Sequence, residues 1–228
     1  MRIKNALDVV SSVALIVVCG AFLWTLFFKD SPAARAGGAP MEAVEGLRLD
    51  AANITNVIGT GRVAIVEFSD FQCPFCIKHA NEVLPRLKEA LIATGDVRYV
   101  ALHFPIEEIH PAALKAGEAA ECGGKQNRFW EMREKLFAHP GRLGPDDFLN
   151  YANVLSLDEG AFLECLEGHQ TLEKVRQDRE EGRRLGVTGT PAFFIGTLEP
   201  DGGIRLVKRI RGTVSADVLI AQVAKSVS

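Results

Sequence analysis

The hydrophobic pattern opens with twenty uncharged residues, Val9 to Phe28 (VVSSVALIVVCGAFLWTLFF). Wound as a helix at about 1.5 Å per residue, such a run measures about 30 Å, the thickness of a bilayer's hydrocarbon core. A transmembrane helix is therefore expected over 9–28. A cleaved signal usually has a shorter apolar run, about 7 to 15 residues, followed by small ones. Here bulky Trp24, Leu26, Phe27 and Phe28 close the run, although SPAARAGGA beyond them leaves a cut site open. Arg2, Lys4 and the terminal amine precede the span and Lys29 and Arg35 follow it, a slight bias that puts residues 1–8 in the cytoplasm. Cys19 falls mid-span, where a small hydrophobe is the simplest reading. The Ala, Gly and Pro of Lys29 to Pro40 carry no apolar period, so 29–46 reads as a flexible linker.

Beyond the linker the pattern is that of a folded domain, 47–228. RVAIVEF (62–68) is a compact apolar, β-branched run and predicts a buried strand. PFCIKHANEVLPRLKEALIAT repeats apolar residues at helical spacing, with Pro85 predicting a kink or break. VRYVALHF (97–104) supplies a second strand, completing a βαβ unit. From about residue 110 to 186 only helical segments follow, separated by Gly, Pro and Asp. PAFFIG and IRLVKRI then restore strands, and SADVLIAQVAKSV predicts a last helix capped by Ser215. The order βαβ, helical block, ββα predicts one α/β sheet interrupted by an all-helical insertion. Within the block, Phe129, Trp130 and Phe137 are spaced as core residues, and EKVRQDREEGRR reads as a solvated face of paired charges.

Composition narrows the function classes. With 26 basic against 29 acidic residues the chain has no basic excess to bind nucleic acid, and 47% hydrophobic residues exclude a disordered chain. The expected anchor puts the domain outside the cytoplasm, in an extracytoplasmic or periplasmic compartment where disulfides persist.

That compartment bears on Cys73 and Cys76 in FQCPFCIKH, at the junction of the first strand and the helix. A thiol attacks as its thiolate, and the exposed N–H groups at a helix start favour that form. Cys73 is placed there, with Pro74 at the first helical position, where a missing N–H costs nothing. Cys76, one turn on, is expected to be more buried and to act as the resolving thiol. Attached haem needs C-x-x-C-H, but Ile77 follows Cys76. Structural zinc asks for a second close pair, whereas Cys122 and Cys165 stand 43 residues apart. A purely structural bridge stays open, although so short a loop gains little entropy. Redox exchange is the favoured reading, with neither metal nor cofactor expected. His103 and His110 are read as structural.

VAIVEFSDFQCPFC and GVTGTPAFFIG, standing on either side of the helical block, resemble the DsbA-like thiol:disulfide oxidoreductases of the thioredoxin superfamily, from about Leu47 to the C-terminus. The resemblance implies an α/β thioredoxin-like fold and a cis bond between Thr190 and Pro191, which would set Thr190 beside the sulfurs to pair with a client chain. The residues alone would suit an ordinary proline at a strand start. Gly189, Pro74 and Phe75 would complete the substrate-binding surface. Glu67 matches a position where the family keeps an acid, and near Cys76 it could carry that thiol's proton; a solvent-facing Glu on an edge strand is the alternative. Some relatives carry an extra disulfide, which for Cys122 and Cys165 competes with two free buried thiols.

The resemblance further implies reduced exported proteins as substrates and a membrane quinone-linked partner that reoxidises the enzyme. No room is left for a separate dimerisation domain, so a monomeric, membrane-anchored oxidase is expected. The alternatives are a reductase or isomerase, including one serving cytochrome c maturation, and a non-catalytic thioredoxin-like chaperone. Phe75 departs from the histidine of the family's best-known oxidants and offers no imidazole to the thiolate. Gln72 stands where cytochrome c maturation proteins usually have Trp.

Overall fold

The structure, a computed structural model, describes residues 41–227. The anchor expected over 9–28, with Cys19, lies outside these residues, and among those described no helix is long and apolar enough to cross a membrane.

Seven strands form one sheet: β1 (Met41–Ala43), β2 (Arg48–Leu49), β3 (Val57–Ile58), β4 (Val63–Ser69), β5 (Val97–His103), β6 (Ala192–Leu198) and β7 (Ile204–Arg211). Their order is β1-β7-β6-β4-β5-β3, with β2 also on β7. The central strand β4 runs parallel to β5 and antiparallel to β6. The linker expected over 29–46 ends sooner than that boundary. Met41–Ala43 pairs with β7, and the Val44 N–H bonds to the Val207 carbonyl, because the open edge of β7 offers backbone partners that composition does not reveal.

Strand β4 is buried along its whole length, so its two faces feed two cores. Ala64, Val66 and Phe68 pack with Val100, Leu102 and Phe194 on one side. Val63 and Ile65 pack on the other with Tyr99, Phe193 and the apolar faces of two helices, α1 (residues 74–92) and α7 (Ala216–Val227). The period of two puts Glu67 on this second face.

The kink or break expected at Pro85 takes the form of a register slip in the helix rather than an end to it. Helical backbone continues through α1 as α turns at Pro74–Lys78 and Leu84–Leu87 alternating with π turns at His79–Val83 and Lys88–Ile92. The Leu84 N–H bonds to the His79 carbonyl, five residues back, so the ladder slips by one just before the residue that has no N–H to give.

The helical insertion comprises α2 (Ala113–Gly124), α3 (Phe129–Ala138), α4 (Pro145–Val154), α5 (Glu159–Glu167) and α6 (Leu172–Arg184). Phe129, Met132, Phe137, Phe148 and Phe162 fill its core, and Trp130 packs against it half-buried. A disulfide between Cys122 and Cys165, with Cα atoms 5.8 Å apart, ties α2 to α5. Helix α6 is not solvated all round: Asp178 and Glu181 turn inward, where Asp178 accepts from the His103 N–H and from Lys174. Its Gly182 lies against Phe104, whose ring would stand 2.6 Å from any Cβ added there, so only glycine permits this approach.

Candidate active site

Cys73 is the N-cap of α1, with extended backbone (φ −70°, ψ 120°) and Pro74 as the first helical residue. The turn before it is held by the buried carboxylate of Asp70. This group accepts from the Gln72 N–H at 2.7 Å, from the Ile106 N–H at 2.8 Å and from His110 Nδ1 at 2.8 Å. The Gln72 side chain accepts in turn from the Ala112 N–H at 2.6 Å. Together these bonds fasten the cysteine turn to the segment that leads into the insertion.

The two sulfurs sit in opposite electrostatic environments. The thiolate of Cys73 receives a hydrogen bond from Cys76 and others from the Thr190 side chain and the N–H groups of Cys76 and Phe75, and these outweigh its burial to lower its pKa to about 5. Burial, the Cys73 charge and Glu67 push the Cys76 thiol well above the ordinary range. As a thiol, Cys73 Sγ donates to the Thr190 carbonyl at 3.3 Å. The Thr190 hydroxyl is buried with no partner among the described residues, free to turn toward the sulfur once the thiolate forms.

The Thr190–Pro191 bond is cis, as the family resemblance implied. A cavity of about 240 Å³ lies beside it, lined by Phe75, Val187, Gly189, Thr190, Pro191 and Arg211. Phe75 is 58% exposed on its rim. Among the described residues nothing comes within 4 Å of a Cβ built on Gly189, so they leave the space in front of it open.

Beneath Cys76 lies a buried polar cluster. Glu67, fully buried, binds Arg133 Nη2 at 2.5 Å and the Tyr99 hydroxyl at 2.8 Å, both through Oε2. Its Oε1 has no partner among the described residues. His79 Nε2 lies 2.9 Å from the same Tyr99 hydroxyl. Burying a carboxylate is costly unless charge and hydrogen bonds replace water, and Arg133 and Tyr99 supply that replacement. The Arg133 guanidinium also lies over the Phe137 ring, 4.7 Å from its centre.

The geometry thus brings Cys73, Cys76, Glu67, Pro74, Phe75, Gly189, Thr190 and Pro191 into one site and places the Cys122–Cys165 disulfide outside it, in the insertion. Sequence reasoning missed Asp70, His79, Tyr99 and Arg133. An Arg inside an amphipathic helix of the insertion gives no local sign that it faces a strand 66 residues earlier. His103 and His110 hold structural bonds, to Glu121 and Asp70 respectively. His103, Glu121 and Asp178 bring possible ligand atoms within 4.8 Å of one another, yet Asn56 and Lys174 already bind these carboxylates.

A dithiol with one stabilised thiolate and one suppressed one, set on a sheet with this helical insertion, is built to exchange disulfides. The family model described as thioredoxin matches residues 57–204, and the chain belongs to that family. Oxidised BdbD from Bacillus subtilis superposes with a TM-score of 0.66 at 21% identity, covering 81% of this chain and 97% of that one. The alpha-DsbA1 of Wolbachia pipientis superposes at 0.62 with 21% identity, over 75% and 89% of the two chains. In sequence, a probable disulfide bond formation protein D from Bacillus anthracis is 26% identical over 200 residues, which are 83% of this chain and 86% of that protein. A Na(+)/H(+) antiporter, NhaA 1 of Salinispora arenicola, is 40% identical over 133 residues, 58% of this chain. The matched stretch is 20% of the antiporter's length, so this chain spans about a fifth of such relatives.

Proposed function

We propose that the protein is an oxidase of exported proteins, tethered to the membrane by residues 9–28, with its catalytic domain extracytoplasmic and acting as a monomer. One observation carries the direction of transfer: the contrast between Cys73, lowered to about 5, and Cys76, held protonated. A low pKa at the attacking sulfur stabilises the reduced protein and so favours giving the disulfide away.

In the forward reaction a client thiolate attacks Cys73 Sγ, the Cys73–Cys76 bond breaks, and Cys76 leaves and takes a proton. A second client thiol, losing its proton, then attacks the first client sulfur and releases Cys73 as the thiolate. Counted from the client dithiol, the client loses two electrons and two protons; the enzyme disulfide gains the electrons, Cys76 keeps one proton and the other goes to solvent because Cys73 is released as the thiolate. The open space before Gly189 and the cavity beside Pro191 suit an extended client segment paired with the Thr190 backbone. Glu67 serves as the acid and base for Cys76. A quinone-linked membrane partner restores the disulfide.

The reduction potential of the Cys73–Cys76 pair tests this directly. A value toward about −120 mV, that of a strong oxidant, is expected, and one near about −270 mV would make the protein a reductant. Refolding of a reduced, disulfide-containing protein by the wild type, lost in Cys73→Ser, separates an oxidase from a chaperone that only holds its clients. Labelling of Cys73 by a membrane-impermeant reagent in whole cells tests the extracytoplasmic placement.

A further inference from the structure

Exchange moves a proton on and off Cys76, which is fully buried, and the Glu67 that serves it is fully buried as well. Neither group can trade protons with bulk water by itself. Three side-chain atoms in this region are buried without partners among the described residues: Glu67 Oε1, Thr190 Oγ1 and His79 Nδ1. Glu67 acts on Cys76 through its charge, and Thr190 accepts from Cys73 through its carbonyl. The third has no part in the exchange as described, and a buried polar atom left unpaired costs free energy unless it has a task.

We propose that Tyr99 and His79 form a proton relay joining Glu67 to the cleft between α1 and the β7–α7 connection. It rests on the reading of Cys73 and Cys76 as an exchanging pair served by Glu67. The chain of contacts is continuous: Glu67 Oε2 accepts from the Tyr99 hydroxyl at 2.8 Å, and that hydroxyl meets His79 Nε2 at 2.9 Å. Because Tyr99 gives its own proton to Glu67, it can only accept from His79, which assigns the Nε2–H tautomer and leaves the Nδ1 lone pair free. Burial, with help from Arg133 and against Glu67, lowers the His79 pKa to about 4, so the ring is neutral and keeps one donor and one acceptor. His79 also lines a cleft of about 360 Å³ together with Lys78, Glu82, Arg86, Val214 and Ser215. The backbone widens into a π turn at His79 itself, a distortion that often marks functional positions.

The relay balances over one catalytic cycle. When Cys76 leaves as thiolate, Tyr99 gives its hydroxyl proton to the Glu67 carboxylate, Glu67 passes a proton on to Cys76, His79 gives its Nε2 proton to Tyr99, and a water admitted from the cleft protonates the buried Nδ1. When Cys76 is later deprotonated to re-form the disulfide, the same steps run outward and restore the starting tautomer. Tyr99 and His79 touch neither sulfur's substrate and act only through Glu67. The charged groups around His79 are Glu67 and Arg133 on the inner side and Lys78, Glu82 and Arg86 along the cleft.

Single-turnover oxidation of a dithiol peptide by the full chain tests the relay, with Cys73 alkylation as an internal control because it moves no proton on or off Cys76. Tyr99→Phe is expected to slow turnover by about tenfold or more, the low side of what positioned acid–base groups contribute. Its alkylation rate at Cys73 should stay at the wild-type value. The slowed rate should rise with the concentration of a small buffer acid, and added imidazole should restore turnover in His79→Ala. A merely structural loss would show neither dependence. Wild-type turnover in Tyr99→Phe, or slowing that neither buffer nor imidazole relieves, overturns the relay. Should His79→Ala not fold, Tyr99→Phe with buffer rescue decides alone. If the wild type itself does not oxidise the peptide, the underlying reading of the cysteine pair is what has failed.

Discussion

Glu67 on β4 and Arg133 on α3 meet at 2.5 Å with side chains 0% and 2% exposed, so the sheet and the helical insertion share one buried ion pair. The insertion therefore contributes to the surroundings of the cysteine pair as well as covering the sheet. Its charge lets a carboxylate remain beneath Cys76 in a place that water does not reach.

Removing either partner should be expensive. Arg133→Met leaves a buried carboxylate unpaired and Glu67→Gln leaves a buried guanidinium unpaired, and each should lower the unfolding free energy by about 3 kcal/mol. The double variant should lose much less than the sum, because no lone charge remains. Urea unfolding of the four proteins measures this coupling, and strictly additive losses would mean that the two groups do not depend on each other.

Reactivity should separate the cysteines. The alkylation rate of the reduced protein by iodoacetamide should climb through a midpoint near pH 5 and then level off, following the Cys73 thiolate. One cysteine of the pair should be modified at neutral pH, since Cys76 stays a thiol there. Mass spectrometry of the modified peptide, along with thiolate absorbance against pH, checks both statements. A midpoint near that of free cysteine, about 8.5, would contradict the stabilised thiolate.

The same shift makes stability depend on pH in the reduced state. The folded pKa of Cys73 is about 5 and its ordinary value 9.0, so the folded thiolate binds fewer protons between these limits. Stability from this group is complete above about pH 9 and lost as pH falls through about 5. The oxidised protein has no such titration. Thermal unfolding of the two forms should show the reduced one gaining on the oxidised one steadily between pH 5 and 9.

The Cys122–Cys165 bridge closes a loop with sequence separation 43, for which the chain-entropy relation gives about 4 kcal/mol. Replacing both cysteines by alanine should cost up to that amount while leaving the alkylation midpoint of Cys73 in place, because the bridge ties α2 to α5 away from the sulfurs. A shifted midpoint would place the disulfide in the machinery of exchange.

Much of the site was legible before the fold was known, for local reasons. Cys73, Pro74 and Cys76 define a helix start within four residues, and the apolar run before them could only be a strand ending at that start. Glu67 stood out as a charge inside that strand. Pro85 disturbs the helix without ending it because a helix can shift its hydrogen-bond register by one at a π turn, a backbone adjustment without a residue signature. The edge strand at Met41–Ala43 was invisible because pairing on β7 depends on an open edge supplied from far along the chain.

Sequence by itself determined the order of the four long strands and the helices and the places of the candidate nucleophile and candidate acid, because helix starts, apolar periods and a buried charge are properties of short stretches. Only the tertiary structure decided what surrounds them: Arg133 and Tyr99 on Glu67, His79 on Tyr99, and Asp70 gripping the turn through Ile106 and His110. Those partners lie 20 to 66 residues apart, and contact at such separations is set by how the sheet and insertion pack, which no local pattern encodes.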